Sequence, residues 1–377
     1  MSQLEDYYIQ KFNLKYWELL QNKPDEVYWV YLSVNENITW DIINNNLNKL
    51  WSWFWLSFNK NVTLNNILNT INQPDIYKWD WEGVSRNPNM RLIDIENTIH
   101  LDNIFLWNWG ELSMNQNLIL DVINSVNVFD IFEQYPWDWY SLSLNPVISW
   151  EFIEKTLNNP DKYPWHWGQL SRNPNIPWEF INNNLYNYPW DWYYLSSNPQ
   201  VSWETIKETL NQPDTYQWVW EEVSKNKNIT YSIIENTVNQ PYIYQWDWVE
   251  LSIHLNMDNE IIQQIIDNIE EANKTGIYIY HWDWNGLSQN KNLTWDIINN
   301  NLDKPWNWSA LSYNENMTVN IIYNNLDKPW DWEALSGNSM INGKKKWVYT
   351  KLKIISTLSL KKLKLNNDVI KNVINFI

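Results

Sequence analysis

The chain has 377 residues, a formal net charge of −17, no cysteine, seven glycines and 31 tryptophans. Lack of cysteine excludes disulfides, thiolate nucleophiles and cysteine-ligated metals, and fits a reducing compartment. So few glycines leave little material for phosphate-cradling loops; no Walker loop, G-x-G-x-x-G or nucleophile elbow occurs.

Residues 1–26 read as an N-terminal capping half-repeat. Met1–Gln10 is polar and acidic, unlike a secretory signal, and no apolar run reaches transmembrane length, so a cytoplasmic protein with no membrane partner is expected. Trp17 and Leu20 have helical spacing, and Asn22-Lys23-Pro24-Asp25 matches Asn158-Asn159-Pro160-Asp161 further on.

From residue 27 to 342 one pattern, W-x-W-x-x-L-S-x-N followed by W-[DE]-x-I, is rewritten twelve times. Units 1 to 12 begin at Val27, Trp51, Trp79, Trp107, Trp137, Trp165, Trp190, Trp218, Trp246, Trp282, Trp306 and Trp330. Their spacing is 24 to 36 residues, a period that marks a repeat array.

Unit 7 shows the physics. Asp191 between Trp190 and Trp192 reads as a helix N-cap, with Ser52, Asp80, Asn108, Asp138, Asp247, Asp283, Asn307 and Asp331 as counterparts. Trp190 and Leu195 then form a hydrophobic staple across that cap. Glu111, Gln169, Glu222 and Glu250, three residues after their caps, are placed to complete capping boxes. This first helix, A, begins at the second Trp and runs about two turns. Asn198 is expected to close it in the left-handed conformation, with His254 the one departure among its counterparts. Ser202 caps a second helix, B, of about ten residues, with Val201 and Ile206 as its staple. Thr39, Thr63, Ser149, Thr230, Asp258, Thr294 and Thr318 stand at the same cap.

Each unit is thus a short helical hairpin. Its few tryptophans and aliphatics do not offset the backbone entropy of fixing it, so stacking on neighbours must supply the rest. The expected fold is all-α, an α-solenoid of about twelve hairpins with terminal capping helices. Linkers come short (Asp303-Lys304-Pro305) or long, the latter carrying Tyr77, Tyr163, Tyr216 and Tyr244. Unit 9 is stretched, with a longer second helix expected through Ile261, Ile265, Ile266 and Ile269 to Gly276.

From 343 to 377 the composition turns basic, making a cap or tail. Lys344, Lys345, Lys346, Lys361, Lys362 and Lys364 are candidate contacts for an anionic partner. Leu365 and Ile370 repeat the staple spacing. The favoured expectation is that this tail docks on the array and shields Trp330, Trp332 and Leu335.

The run P-W-D-W-x-x-L-S-x-N-P-x-[IV]-[ST]-W-[DE] over about 27–343 resembles the tryptophan-rich repeats of largely uncharacterised giant-virus proteins. That resemblance implies a viral origin and a repeat protein, and no established activity.

Tryptophan pairs could stack bases or sugars, but every unit needs them for the same geometry, so they read as core. Four histidines share no ligand spacing, so no metal or other cofactor is expected. The Asn-x-Thr sequons coincide with helix-B caps. Strong negative charge disfavours nucleic acid except through the tail. The outward positions that vary after the second Trp form a tyrosine-rich, acidic stripe: Tyr140, Tyr193, Tyr194, Glu221, Glu222 and Glu250. Such a stripe suits a protein partner. The expectation is a non-enzymatic scaffold for protein–protein interaction, with a virion or packaging component, or nucleic-acid contact through the tail, as alternatives.

Overall fold

The computed structural model describes residues 2–23, 25–100 and 105–360, with side chains of the last helix as far as Lys353. Lys361, Lys362, Lys364, the Leu365–Ile370 staple and Pro24 of the first linker lie outside the described residues. The described chain is helical throughout and contains no strand. It is an α-solenoid of paired short helices, as the double-cap pattern predicts.

In unit 7 helix A is Trp192–Ser197 and helix B is Trp203–Thr209. Asp191 caps the first by accepting from the Tyr193 N–H, and Ser202 caps the second by accepting from the Thr205 N–H. All the expected A caps except Ser52 accept such a bond. His166 caps as well, through Nδ1, which the residue type did not advertise. Helix B is shorter than the expected ten residues because the next unit intercepts its end. The Trp218 indole N–H donates to the Thr209 hydroxyl at 2.9 Å, fixing the turn that follows. Long linkers repeat this Trp-to-Thr bond at Trp79, Trp107, Trp165 and Trp246. Short linkers bring the indole to a main-chain carbonyl instead, as Trp306 does with Asn301 at 2.8 Å. The two linker lengths are therefore two ways of satisfying one buried N–H.

In units 1 to 11 the second Trp meets the first Trp of the next unit edge-to-face. Trp192 and Trp218 have ring centroids 5.0 Å apart at 89°, and Trp139 and Trp165 4.9 Å apart at 90°. This geometry aligns a positive ring edge with a negative ring face. The first Trp is buried in most units, Trp190 at 9% exposed, and half-buried at Trp79, Trp107 and Trp218. The reading of the tryptophans as core holds.

Two sequence expectations fail, for one shared reason: the groups concerned are occupied between units. Asn198 is extended (φ −65°, ψ 130°), not left-handed. Its side chain donates to the Ser171 and Asn173 carbonyls of the preceding unit at 2.8 and 3.2 Å. The same rung recurs around the array, for example from Asn87 to Ser57 and Asn59 and from Asn226 to Ser196 and Asn198. In unit 9, helix A is one residue longer, and buried Leu255 rather than His254 takes the Asn place. Leucine cannot donate, so that rung is missing. The capping boxes are also absent at Glu111, Gln169, Glu222 and Glu250. The N-cap N–H that such a side chain would accept from already donates to the repeated L-S serine of the unit before, as Asp247 does to Ser224 at 2.9 Å.

The serine rung is present at every junction, and the last one joins the ends of the array. Tyr28 N–H of unit 1 donates to Ser336 Oγ of unit 12 at 3.2 Å. Asn35 donates to the Ser336 and Asn338 carbonyls, both at 3.0 Å. The buried Tyr16 hydroxyl donates to the Leu335 carbonyl at 2.7 Å. Unit 12 thus stacks on unit 1 as unit 1 does on unit 2, and the solenoid closes into a ring. The terminal helices, Ser2–Leu20 and Ile341–Leu360, do not cap two open ends; they pack against each other in the outer layer. Trp17 stacks on Trp51 (6.3 Å, 22°) as Trp40 stacks on Trp79 (5.9 Å, 26°), so the first helix acts as the B helix of a half-repeat. Trp330, Trp332 and Leu335 are buried: Trp330 packs on Trp295 and Trp308 of units 10 and 11, and the Leu335 carbonyl accepts from Tyr16 of the first helix.

Neighbouring A helices touch backbone to backbone: a Cβ at Gly83 would lie 2.5 Å from the Phe54 carbonyl oxygen. Such close approach recurs from one A helix to the next and at few B–B steps. In a closed circuit the more tightly spaced layer is the inner one, so the A helices form the inner wall. In unit 9 the expected long second helix is Asn259–Thr275, ended by Gly276 at φ 74°.

Candidate functional site: the inner wall

A helix six residues long, packed on both sides, leaves few side chains free. On the A helix of unit 7, Tyr193 is 42% exposed and Ser197, one turn on, is half-buried; Leu195 and Ser196 are fully buried. The free face therefore comprises the first position after the second Trp and the residue between the Ser and the Asn; the position between them is buried in many units, as at Ser141, Gln169 and Glu222, and open in others, as at Tyr31. Repeated around the ring, it lines the inner wall.

Five residues of the expected stripe face outward on these helices; Glu222 does not, being 6% exposed because its neighbours Ser197 and Lys225 close over it. Side-chain contacts run from each unit to the next across units 5 to 9. Tyr140 packs edge-on to His166 (4.9 Å), and its hydroxyl accepts from Gln169 Nε2 at 2.9 Å. The Arg172 guanidinium lies 4.7 Å from the Tyr194 ring, a cation–π contact. The Ser197 hydroxyl donates to Glu222 at 2.8 Å, and Lys225 donates to the same carboxylate at 2.6 Å. Lys225 also bonds Glu221 at 3.2 Å and lies 3.6 Å from Glu250, which pairs with His254 at 3.2 Å. The side chains freed from capping boxes supply these links: Glu111 reaches Arg86 at 3.1 Å, just as Glu222 reaches Ser197.

The electrostatics follow. Burial alone would raise the Glu222 pKa, but bonds from Lys225, Tyr193 and Ser197 outweigh it and hold the carboxyl below its usual value. Desolvation pulls Lys225 down, yet its bonds to Glu222 and Glu221 raise it on balance. The Tyr193 phenol is raised, first by its hydrogen bond to Glu222. Lys225 is thus a fixed cation inside a carboxylate triangle.

Sequence reading missed Arg172, Ser197, Lys225 and His254. The signal was present: Glu221 to Lys225 and Glu250 to His254 are i, i+4 pairs on one helix face. A second aromatic cluster lies at the ring junction, where Tyr31 and Tyr313, from units 1 and 11, approach to 6.5 Å over Gly337.

The lysine candidates divide. Lys344 is buried at the junction; Lys345 and Lys346 are exposed. Among the described residues, no group of His, Asp or Glu is arranged to hold a metal ion, and no helix is long and apolar enough to cross a membrane. Compared with protein-family models, with curated proteins and with solved structures, the chain finds no match.

Proposed function

We propose that the protein is a non-enzymatic ring scaffold that holds a protein partner against its inner wall. The observation that carries this reading is the network from Tyr140 to His254. It presents exposed tyrosine faces beside charge that is already ordered, so little side-chain entropy is lost when a partner docks. Acidic residues outnumber basic ones at these positions, with Glu82, Glu111, Glu221, Glu222, Glu250 and Glu333 against Arg86, Arg172 and Lys225. A basic polypeptide segment suits that balance. The likeness of the repeats to giant-virus arrays makes an infected protist cell the natural source of that partner. Contact with nucleic acid through the tail has less support, since Lys344 is buried at the ring junction.

The test is site-directed photocrosslinking. A photoreactive phenylalanine at Tyr193 should give a discrete protein adduct, lost in a Glu221→Lys, Glu250→Lys background. The same probe at the exposed outer residue Glu208 should give none. Adducts of equal yield at both positions would refute the inner-wall reading.

A further inference from the structure

Where the two terminal helices meet at the ring junction they border a half-open cavity of about 420 Å³. That size is within the range of small-molecule pockets. Ile9, Ile341, Val348 and Leu352 supply an apolar wall, drawn from both ends of the chain.

Two buried polar groups border this cavity with bonding capacity unspent. Asn13 is 4% exposed, and its Oδ1 has no partner. Lys344 is 8% exposed, and its ammonium carries three donors. One bonds Asn37 Oδ1 at 2.9 Å; Glu36 Oε1 stands off at 3.8 Å and the Phe12 ring at 5.9 Å. Glu36 is itself engaged by Lys60. Charges bordering the cavity do not balance: Lys60, Lys344 and Lys345 face Glu5 and Glu36. Buried donors and acceptors are nearly always paired, so an orphan acceptor beside a half-bonded cation calls for an occupant.

We propose that this junction cavity binds an amphipathic monoanion of the acyl-carboxylate class. Its carboxylate accepts from Lys344, a neighbouring N–H or O–H donates to Asn13 Oδ1, and its apolar body lies along Ile9, Val348 and Leu352. One negative charge completes the local balance. Because the walls come from both chain ends, the ligand binds the closed ring and stabilises it by mass action.

The probe is N-octanoylglycine, which has a carboxylate, an adjacent amide N–H and an apolar chain, titrated into the full chain by calorimetry and thermal melting. Saturable one-site binding is expected, with a melting temperature that rises with ligand concentration. Its uncharged methyl ester should bind at least tenfold more weakly to the unaltered protein. Lys344→Met should weaken binding at least tenfold, and the remote Lys207→Met should leave it unchanged. Asn13→Leu, which removes the orphan polar group, should raise the melting temperature without ligand while weakening binding at least tenfold. Absence of saturable binding, or equal affinity for acid and ester, would overturn the proposal. So would unchanged affinity in Asn13→Leu protein that melts cooperatively.

Discussion

The Asn35 side-chain amide donates to the Ser336 carbonyl at 3.0 Å, across 301 positions of chain. The same bond joins Asn59 to Ser33 across 26. Junction 12–1 is thus chemically one more step of the array. Asn35→Leu should cost about 1–3 kcal/mol, as should Asn226→Leu within the array, since each leaves buried carbonyls without their donor. Urea midpoints measure both. An Asn35→Leu protein as stable as the parent, beside a destabilised Asn226→Leu, would mean that the ends do not meet.

The tryptophan and cap roles separate by magnitude. Trp190→Ala empties a buried site and should cost about 3–5 kcal/mol. Asp191→Ala loses one capping bond and should cost about 1 kcal/mol. Equal effects in denaturant would return Trp190 to the surface.

At Gly83 the preceding A helix passes too close for a side chain. A Cβ there would fall 2.5 Å from the Phe54 carbonyl and 2.9 Å from Ser57 Cβ. Gly83→Ala should therefore destabilise by about 1–3 kcal/mol, although alanine is the better helix former by about 1 kcal/mol. A melting temperature that rises on this substitution would show that the A helices are not the tightly packed layer.

Alkaline stability follows from phenols whose pKa the fold raises. Burial pushes Tyr231 up to about 12, and Tyr16, fully buried at the junction, is raised well above its ordinary value; Tyr313, half-exposed, is raised by partial desolvation and by neighbouring Tyr31. A phenol whose folded pKa exceeds its unfolded value of about 10 stabilises the fold fully below that pH. The stabilisation is lost as pH rises from there through the folded pKa. Near-ultraviolet circular dichroism should hold steady to about pH 10 and collapse cooperatively between about 10 and 12. Tyr16→Phe removes the ionising group at the junction, so part of the alkaline sensitivity should go with it, at the expense of neutral-pH stability. Identical alkaline profiles would contradict the placement of Tyr16.

Much of the unit was legible because it is local. A cap such as Asp191, a staple such as Trp190 with Leu195 and the stretch ending at Gly276 each declare themselves within a few residues. The Asn198 role was misread because its conformation was argued without its side chain. A site needing only positive φ would have accepted glycine in some units, yet none of the seven glycines falls there. Five of the stripe residues were legible as outward-facing variables; Glu222 is buried beneath Lys225, and Lys225 and Arg172 required adding the residue one turn on. Closure was not legible. Twelve units make a ring only if each turns by about 30°, an angle set by the sum of backbone contacts and not by any single motif.

The most direct test is a distance between the terminal helices. The chain has no cysteine, so Lys11→Cys and Lys346→Cys, both exposed, place spin labels uniquely on the first and last helices. In a closed ring pulsed electron resonance should give one narrow, short distance, set by packed helices about 8–10 Å apart plus the label arms. An open array of the same units, stepping by that spacing, would separate them by roughly 90–110 Å. A dominant long or very broad distance would contradict the ring.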